Sequence, residues 1–163
     1  MTTYKTGQMI QPPNALRLRV GGGGRLGAID PAAIAKAEAA LAGLSGNFAE
    51  WLNDEIAKLG AARQVVRESG PTPEHMESLY LRAHDLKGLG TTYEFPIITR
   101  IAGSLCRLID DKDKRVQAPM SLIDAHIDAI KAAVRDDIKT DDHPIGAILV
   151  QELEKKVVAT GLA

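Results

Sequence analysis

Met76-Glu77-Ser78-Leu79-Tyr80-Leu81-Arg82-Ala83-His84-Asp85-Leu86-Lys87-Gly88-Leu89-Gly90 is the stretch on which the fold turns. Met76, Leu79, Ala83, Leu86 and Gly90 recur at steps of 3, 4, 3 and 4, which is one stripe of a helix facing a core. His84 follows Ala83 directly, so it is turned about 100° off that seam. It is expected on the exposed side, with Leu81 and Gly88 as helical neighbours and Tyr80 and Lys87 on the flank nearer the core.

Outward from this helix the same period persists. Thr72-Pro73 supplies a capping residue and a proline at the first helical position, and Glu74 places a carboxylate in the first turn. The helix is expected to run to about Tyr93. Before it, Asp30-Pro31 opens a short helix from Ala32 to Ala42 that stops near Gly43. A longer one then runs from about Ser45 or Asn47 to Glu68, with Phe48, Trp51, Leu52, Glu55, Ile56, Leu59 and Val66 on one stripe. Gly70-Pro71 ends it. After the central helix, three more are expected over about Phe95 to Asp110, Pro119 to Lys139 and Asp142 to Thr160, with Gly161 closing the last. The charged segment Asp111 to Gln117, including Lys112 to Arg115, reads as a solvated loop.

No segment after Asp30 reads as a strand. The fold class is therefore all-α: an antiparallel four-helix bundle with one or two additional short N-terminal helices and an irregular N-terminal arm. The arm covers residues 1–29 and the helical bundle residues 30–163. Gln11-Pro12-Pro13 and Gly21 to Gly24 break regular structure in the arm, and Ala15 to Val20 between them could form a brief extended segment.

Composition limits the function. The chain has 163 residues, 45% hydrophobic and 25% charged, so it can build one core and is not wholesale disordered. Aromatics are only 4%, which suits Ala, Leu and Ile helix seams better than a sandwich. A net charge of −1 gives no general basic field for nucleic acid. One cysteine, Cys106, excludes an intramolecular disulfide framework; following core residue Leu105, it reads as a structural thiol. No apolar run spans a bilayer and no signal-peptide core is visible, so a soluble, cytoplasmic chain is expected. Gly21 to Gly24 lacks the GxxxxGK[ST] pattern, so no nucleotide loop is expected.

Four histidines are available. His75 and His143 read as solvent-facing. Asp124, His126 and Asp128 are two residues apart and do not share a helix face, so no metal site is expected from them. His84 stands out. Gly88 within a helix costs about 1 kcal/mol against Ala, and Leu81 is a large apolar residue pointing outward. Together they make a shallow place for another protein to approach. On geometry alone, an ordinary surface histidine near a fraying helix end fits equally well. On the following helix, Ile97, Ile98, Ile101, Leu105 and Leu108 form a core stripe, while Arg100, Gly103, Ser104 and Arg107 form a small, cationic face expected near His84. A neutral imidazole is a nucleophile at neutral pH, and Lys87 would offset the charge of a phosphorylated product.

His84-Asp85-Leu86-Lys87-Gly88 resembles the His-x-Leu-Lys-Gly signature of histidine-containing phosphotransfer (HPt) domains, the relay modules of bacterial multistep phosphorelays. The resemblance extends over about Leu79 to Asp110, where Ile97, Ile101, Leu105 and Leu108 match the following helix. It implies a phosphoacceptor role for His84 Nε2, a phosphate-stabilising role for Lys87, and room at Gly88 for a partner. Partner contacts are then expected from Gly88, Leu81, Tyr80, Arg100, Ser104 and Arg107. The partners implied are response-regulator receiver domains or a hybrid histidine kinase. Mg²⁺ would belong to the receiver, and this chain would need no cofactor, nucleic acid or membrane and would be a monomer. The family's turn after the motif differs from Leu89-Gly90-Thr91 here, and Tyr93-Glu94-Phe95 stands where many members carry a glycine. Two other readings compete. One is the dimerisation and phosphoacceptor module of a histidine kinase, giving two helices to a dimer. The other is a helical adaptor without chemistry.

Overall fold

The computed structural model describes residues 30–163. The N-terminal arm, residues 1–29, lies outside them, as does its expected extended segment. Among the described residues all regular structure is helical. The helices are α1 (Pro31–Ser69), α2 (Pro73–Leu89), α3 (Pro96–Leu108), α4 (Met120–Arg135) and α5 (Pro144–Ala159), with a short 3₁₀ turn at Arg115–Gln117. No described helix is long and apolar enough to cross a membrane.

The chain divides into two compact units after Ala40. In the first, the described side chains from Asp30 to Ala40 are all exposed. The second, Leu41–Ala163, contains the core.

The two separate helices expected before Gly70 are one. α1 continues through Gly43 and Gly46 for 39 residues. Glycine weakens a helix but does not reverse the chain, and no proline follows to force a break. Ser45 donates its hydroxyl to the Ala42 carbonyl at 3.0 Å, within the helical run. The real stop is Gly70, whose φ of +89° is the left-handed conformation that closes a helix. The buried stripe of α1 is Leu52, Ile56, Leu59, Ala62 and Val66. Trp51, expected on that stripe, is 42% exposed, because it lies one residue to the side of Leu52.

Capping sets the start of α2. The Thr72 hydroxyl accepts from the His75 backbone N–H at 3.2 Å, with Pro73 at the first position. Met76, Leu79, Ala83 and Leu86 are fully buried, so the seam read from spacing is the seam that packs. The helix ends at Leu89, four residues before the expected end. Gly90 is required there by space and not by dihedral angle. A Cβ on it would stand 2.6 Å from both the backbone nitrogen and the hydroxyl of Thr99. The turn is further tied by Phe95 N–H to Gly90 O at 2.8 Å and by Thr91 N–H to the Thr99 hydroxyl at 3.0 Å.

α3 is the central helix of this unit. It packs on α2, α4 and α5, and α4 also packs on α5. This explains why its buried set extends past the apolar stripe to Ala102, Ser104 and Cys106. The Ile97 amide at the α3 N-terminus donates to Lys139 O at 2.9 Å, which anchors it to the α4–α5 connection. α1 meets α4 through ion pairs of Arg63 with Asp124 and Asp128, and of Arg67 with Asp124. Phe48 and Trp51 of α1 lie against Tyr93 of the α2–α3 turn, with ring centroids 5.6 and 6.1 Å away.

Candidate functional site

α2 holds His84 on its outer side. The residue is exposed, while its neighbours Ala83 and Leu86 are fully buried. The periodic seam thus turns the imidazole outward without any special local geometry. His84 lines a shallow, open depression together with Glu55, Arg82, Asp85, Gly88 and Leu89. Gly88 lies one turn on and is exposed, and a Cβ placed on it would meet no atom within 4 Å. Space is therefore left over the backbone beside the imidazole, on the side from which another molecule can come. Leu81 is 51% exposed on the same helix.

Lys87 lies on the α3 side of the site. Its aliphatic stem crosses α3 at Gly103, where a Cβ would stand 3.9 Å from the lysine Cδ and Cε. The stem is packed while the residue as a whole stays exposed, an arrangement common for lysine. Arg107 is exposed one turn beyond Gly103 on α3, so a second cation shares this end of the face.

Two other members of the expected cationic face lie elsewhere. Arg100 is engaged by Asp141 and by Glu154 of α5, the latter at 3.1 Å, and so is committed away from His84. Ser104 is 3% exposed and forms a hydrogen bond with His126 Nε2 at 3.0 Å, so it is no partner contact. The cause is angular: residues 103 and 104 lie about 100° apart around the helix. With α3 covered on several sides, the Gly103 edge meets α2 and the Ser104 edge meets α4.

The other histidines have structural surroundings. His126 is fully buried; its Nδ1–H donates to Leu122 O at 2.7 Å, and its Nε2 then accepts from the Ser104 hydroxyl. Burial pushes its pKa below the ordinary 6.5. Asp124, two residues earlier and on another side of the helix, is held by Arg63 and Arg67 and does not converge on that ring. His75, expected to face solvent, is half-buried because its Nδ1 bonds Gly70 O at 2.9 Å. His143 is exposed and caps α5, accepting from the Ile145 N–H at 3.3 Å. Cys106 is buried, and burial pushes its thiol up to about 11, so it stays protonated and unreactive.

Arg115 is the main departure from the expected solvated loop. It is 2% exposed and pairs with Glu77 of α2. It also donates to the Asp110 carbonyl at 2.9 Å. Its guanidinium lies 4.9 Å from the centroid of the Tyr80 ring. Tyr80, half-buried, donates its hydroxyl to Asp110 at 3.0 Å, and that acceptor raises the phenol pKa above its usual value. The Tyr80 ring in turn lies beside His84, centroids 6.1 Å apart. Sequence periodicity places Tyr80 but gives no sign of Asp110 or Arg115, which reach it from 30 and 35 residues away. Glu55, read from the sequence only as part of the α1 stripe, and Leu89, read only as part of the turn, also line the depression. The Arg82–Asp85 pair, 3.6 Å apart, carries a readable i,i+3 spacing.

The site thus brings together His84, Lys87, Gly88, Leu81, Tyr80 and the Arg107 end of α3, and leaves out Arg100 and Ser104. Comparison with protein-family models, with curated proteins and with solved structures gave no match.

Proposed function

We propose that this chain is a phosphorelay intermediate of the two-component signalling type, accepting a phosphoryl group on His84 from a receiver-domain aspartate and passing it to another receiver. In this reading α2 to α5 form an antiparallel four-helix bundle of the HPt kind, with the second half of α1 against it. The observation that carries it is an outward imidazole with unfilled space over Gly88 one turn on and Lys87 held alongside across Gly103.

The chemistry needs little from this side. The lone pair of His84 Nε2 attacks the phosphorus of the aspartyl phosphate. The P–O bond to the carboxylate breaks, its electron pair stays with the aspartate, and an N–P bond forms. The ring, now bonded at both nitrogens and positively charged, then releases the Nδ1 proton to water. Lys87 offsets negative charge on the phosphoryl oxygens, and Gly88 leaves room for the receiver's acidic site. Mg²⁺, with the carboxylates that hold it, belongs to the receiver. Reversal of the same step loads the next receiver. The chain acts as a monomer, and the response-regulator receivers or hybrid kinase are its partners.

The test is transfer of labelled phosphate from a phosphorylated receiver domain to wild type and His84→Gln, side by side. Acid-labile, base-stable label on wild type alone is expected. Label persisting in His84→Gln would refute the assignment, and unlabelled wild type with partner binding intact would favour the adaptor reading.

A further inference from the structure

We propose that Tyr80 is a positioning residue for His84, its ring fixing the orientation in which the imidazole meets the donor phosphorus. This rests on the phosphoacceptor reading of His84. An exposed histidine ordinarily samples several rotamers, and ordering it has an entropic cost at the moment of reaction. Here an aromatic ring one helical turn earlier stands 6.1 Å away at an interplanar angle of 34°, within the range of aromatic pairs.

The ring that orients the imidazole is itself constrained from two other parts of the chain. Its hydroxyl is held by Asp110, just past the end of α3, at 3.0 Å. Its π system is packed by the Arg115 guanidinium at 4.9 Å. Arg115 cannot drift, because Glu77 and the Asp110 carbonyl hold it and it is 2% exposed. A tyrosine serving only as surface cover, or as a contact for a docked partner, needs no such backing. The chain Glu77–Arg115–Tyr80–His84 instead transmits the rigidity of a buried cation to an exposed nucleophile. Pre-ordering acts on the transfer step itself and not on docking.

The experiment uses the full chain and a receiver domain charged with acetyl phosphate as donor. Transfer is measured against donor concentration for wild type, Tyr80→Leu, Tyr80→Phe and Asp110→Ala. Tyr80→Leu should lower the maximal rate about tenfold with the half-saturating concentration unchanged. Tyr80→Phe, which keeps the ring, should remain within about threefold, and Asp110→Ala should match it. In parallel, the NMR resonances of the His84 ring protons should move in Tyr80→Leu, which removes the neighbouring ring current, and stay near wild type in Tyr80→Phe. An unchanged maximal rate in Tyr80→Leu would overturn the proposal, as would a change confined to half-saturation, which marks a docking contact. If wild type accepts no phosphoryl group, the relay reading fails and the NMR arm alone decides: unmoved His84 resonances overturn the Tyr80–His84 coupling.

Discussion

Gly88 and Gly90 are two residues apart on the same helix end, and substitution should affect them in opposite directions. At Gly88 a Cβ meets nothing within 4 Å. Gly88→Ala therefore adds no clash, and the helix gains about 0.5–1 kcal/mol from a better helix former with a less flexible unfolded state. For a chain of this size that corresponds to a rise of about 1–4 °C in melting temperature. At Gly90 a Cβ stands 2.6 Å from Thr99 backbone and hydroxyl atoms and 3.0 Å from Phe95 O. The backbone cannot retreat, because the same turn carries the Gly90–Phe95 and Thr91–Thr99 hydrogen bonds. Gly90→Ala should destabilise by about 1–3 kcal/mol. Function should separate from stability. Gly88→Leu fills the space beside His84 and should slow phosphoryl transfer at least about tenfold, equivalent to about 1.4 kcal/mol of misfit with the partner, while the fold is kept. Gly90→Ala should reduce transfer only in proportion to its loss of folded protein. Thermal and urea unfolding with transfer assays on the same preparations decide the matter. A destabilised Gly88→Ala, or wild-type transfer by Gly88→Leu, would refute the view that Gly88 is kept glycine for a partner.

Lys87→Ala should shorten the phosphohistidine lifetime without altering the fold, because the lysine packs only its stem across Gly103; an unaltered decay of labelled protein contradicts the stabilising role. His126 makes stability depend on pH. Its folded pKa is depressed by burial, so the unfolded chain binds the proton first as pH falls through about 6.5. Stability is complete above that point and declines below it by up to about 1.4 kcal/mol per pH unit until the folded pKa is reached. Urea titrations should show this slope in wild type and lose it in His126→Gln, and an equal slope in both rejects the cause. Arg100→Ala should leave transfer kinetics unchanged, since its partners are Asp141 and Glu154; a slowed transfer would return it to the docking face.

The central helix was legible because periodicity needs no knowledge of neighbours. Met76, Leu79, Ala83 and Leu86 pack as their spacing requires, and the off-seam His84 is exposed for the same reason. What could not be read depends on partners distant in sequence. Ser104 and Arg107 share a helical stripe, yet one is buried against His126 and the other exposed, because α4 covers only one edge of α3. Arg115 sits in a segment with the composition of a solvated loop, but Glu77 and Asp110 draw it inward. Gly43 and Gly46 have the composition of a break; without proline or a need to turn, the helix passes through them. The proposed phosphoacceptor role of His84 rests on the identity of the residues in His84-Asp85-Leu86-Lys87-Gly88, which helical periodicity alone does not single out.

In the proposed relay, the crossing of Lys87 over Gly103 would place two properties of the site on different helices. Nucleophilicity resides in the imidazole on α2, whereas the seat of the neighbouring cation is set by the bulk of a residue on α3. A larger side chain at 103 would lift the lysine stem and shift where its charge is delivered, with the histidine untouched. Lineages of such a carrier could therefore diverge in how long they retain their cargo through a position that never contacts it.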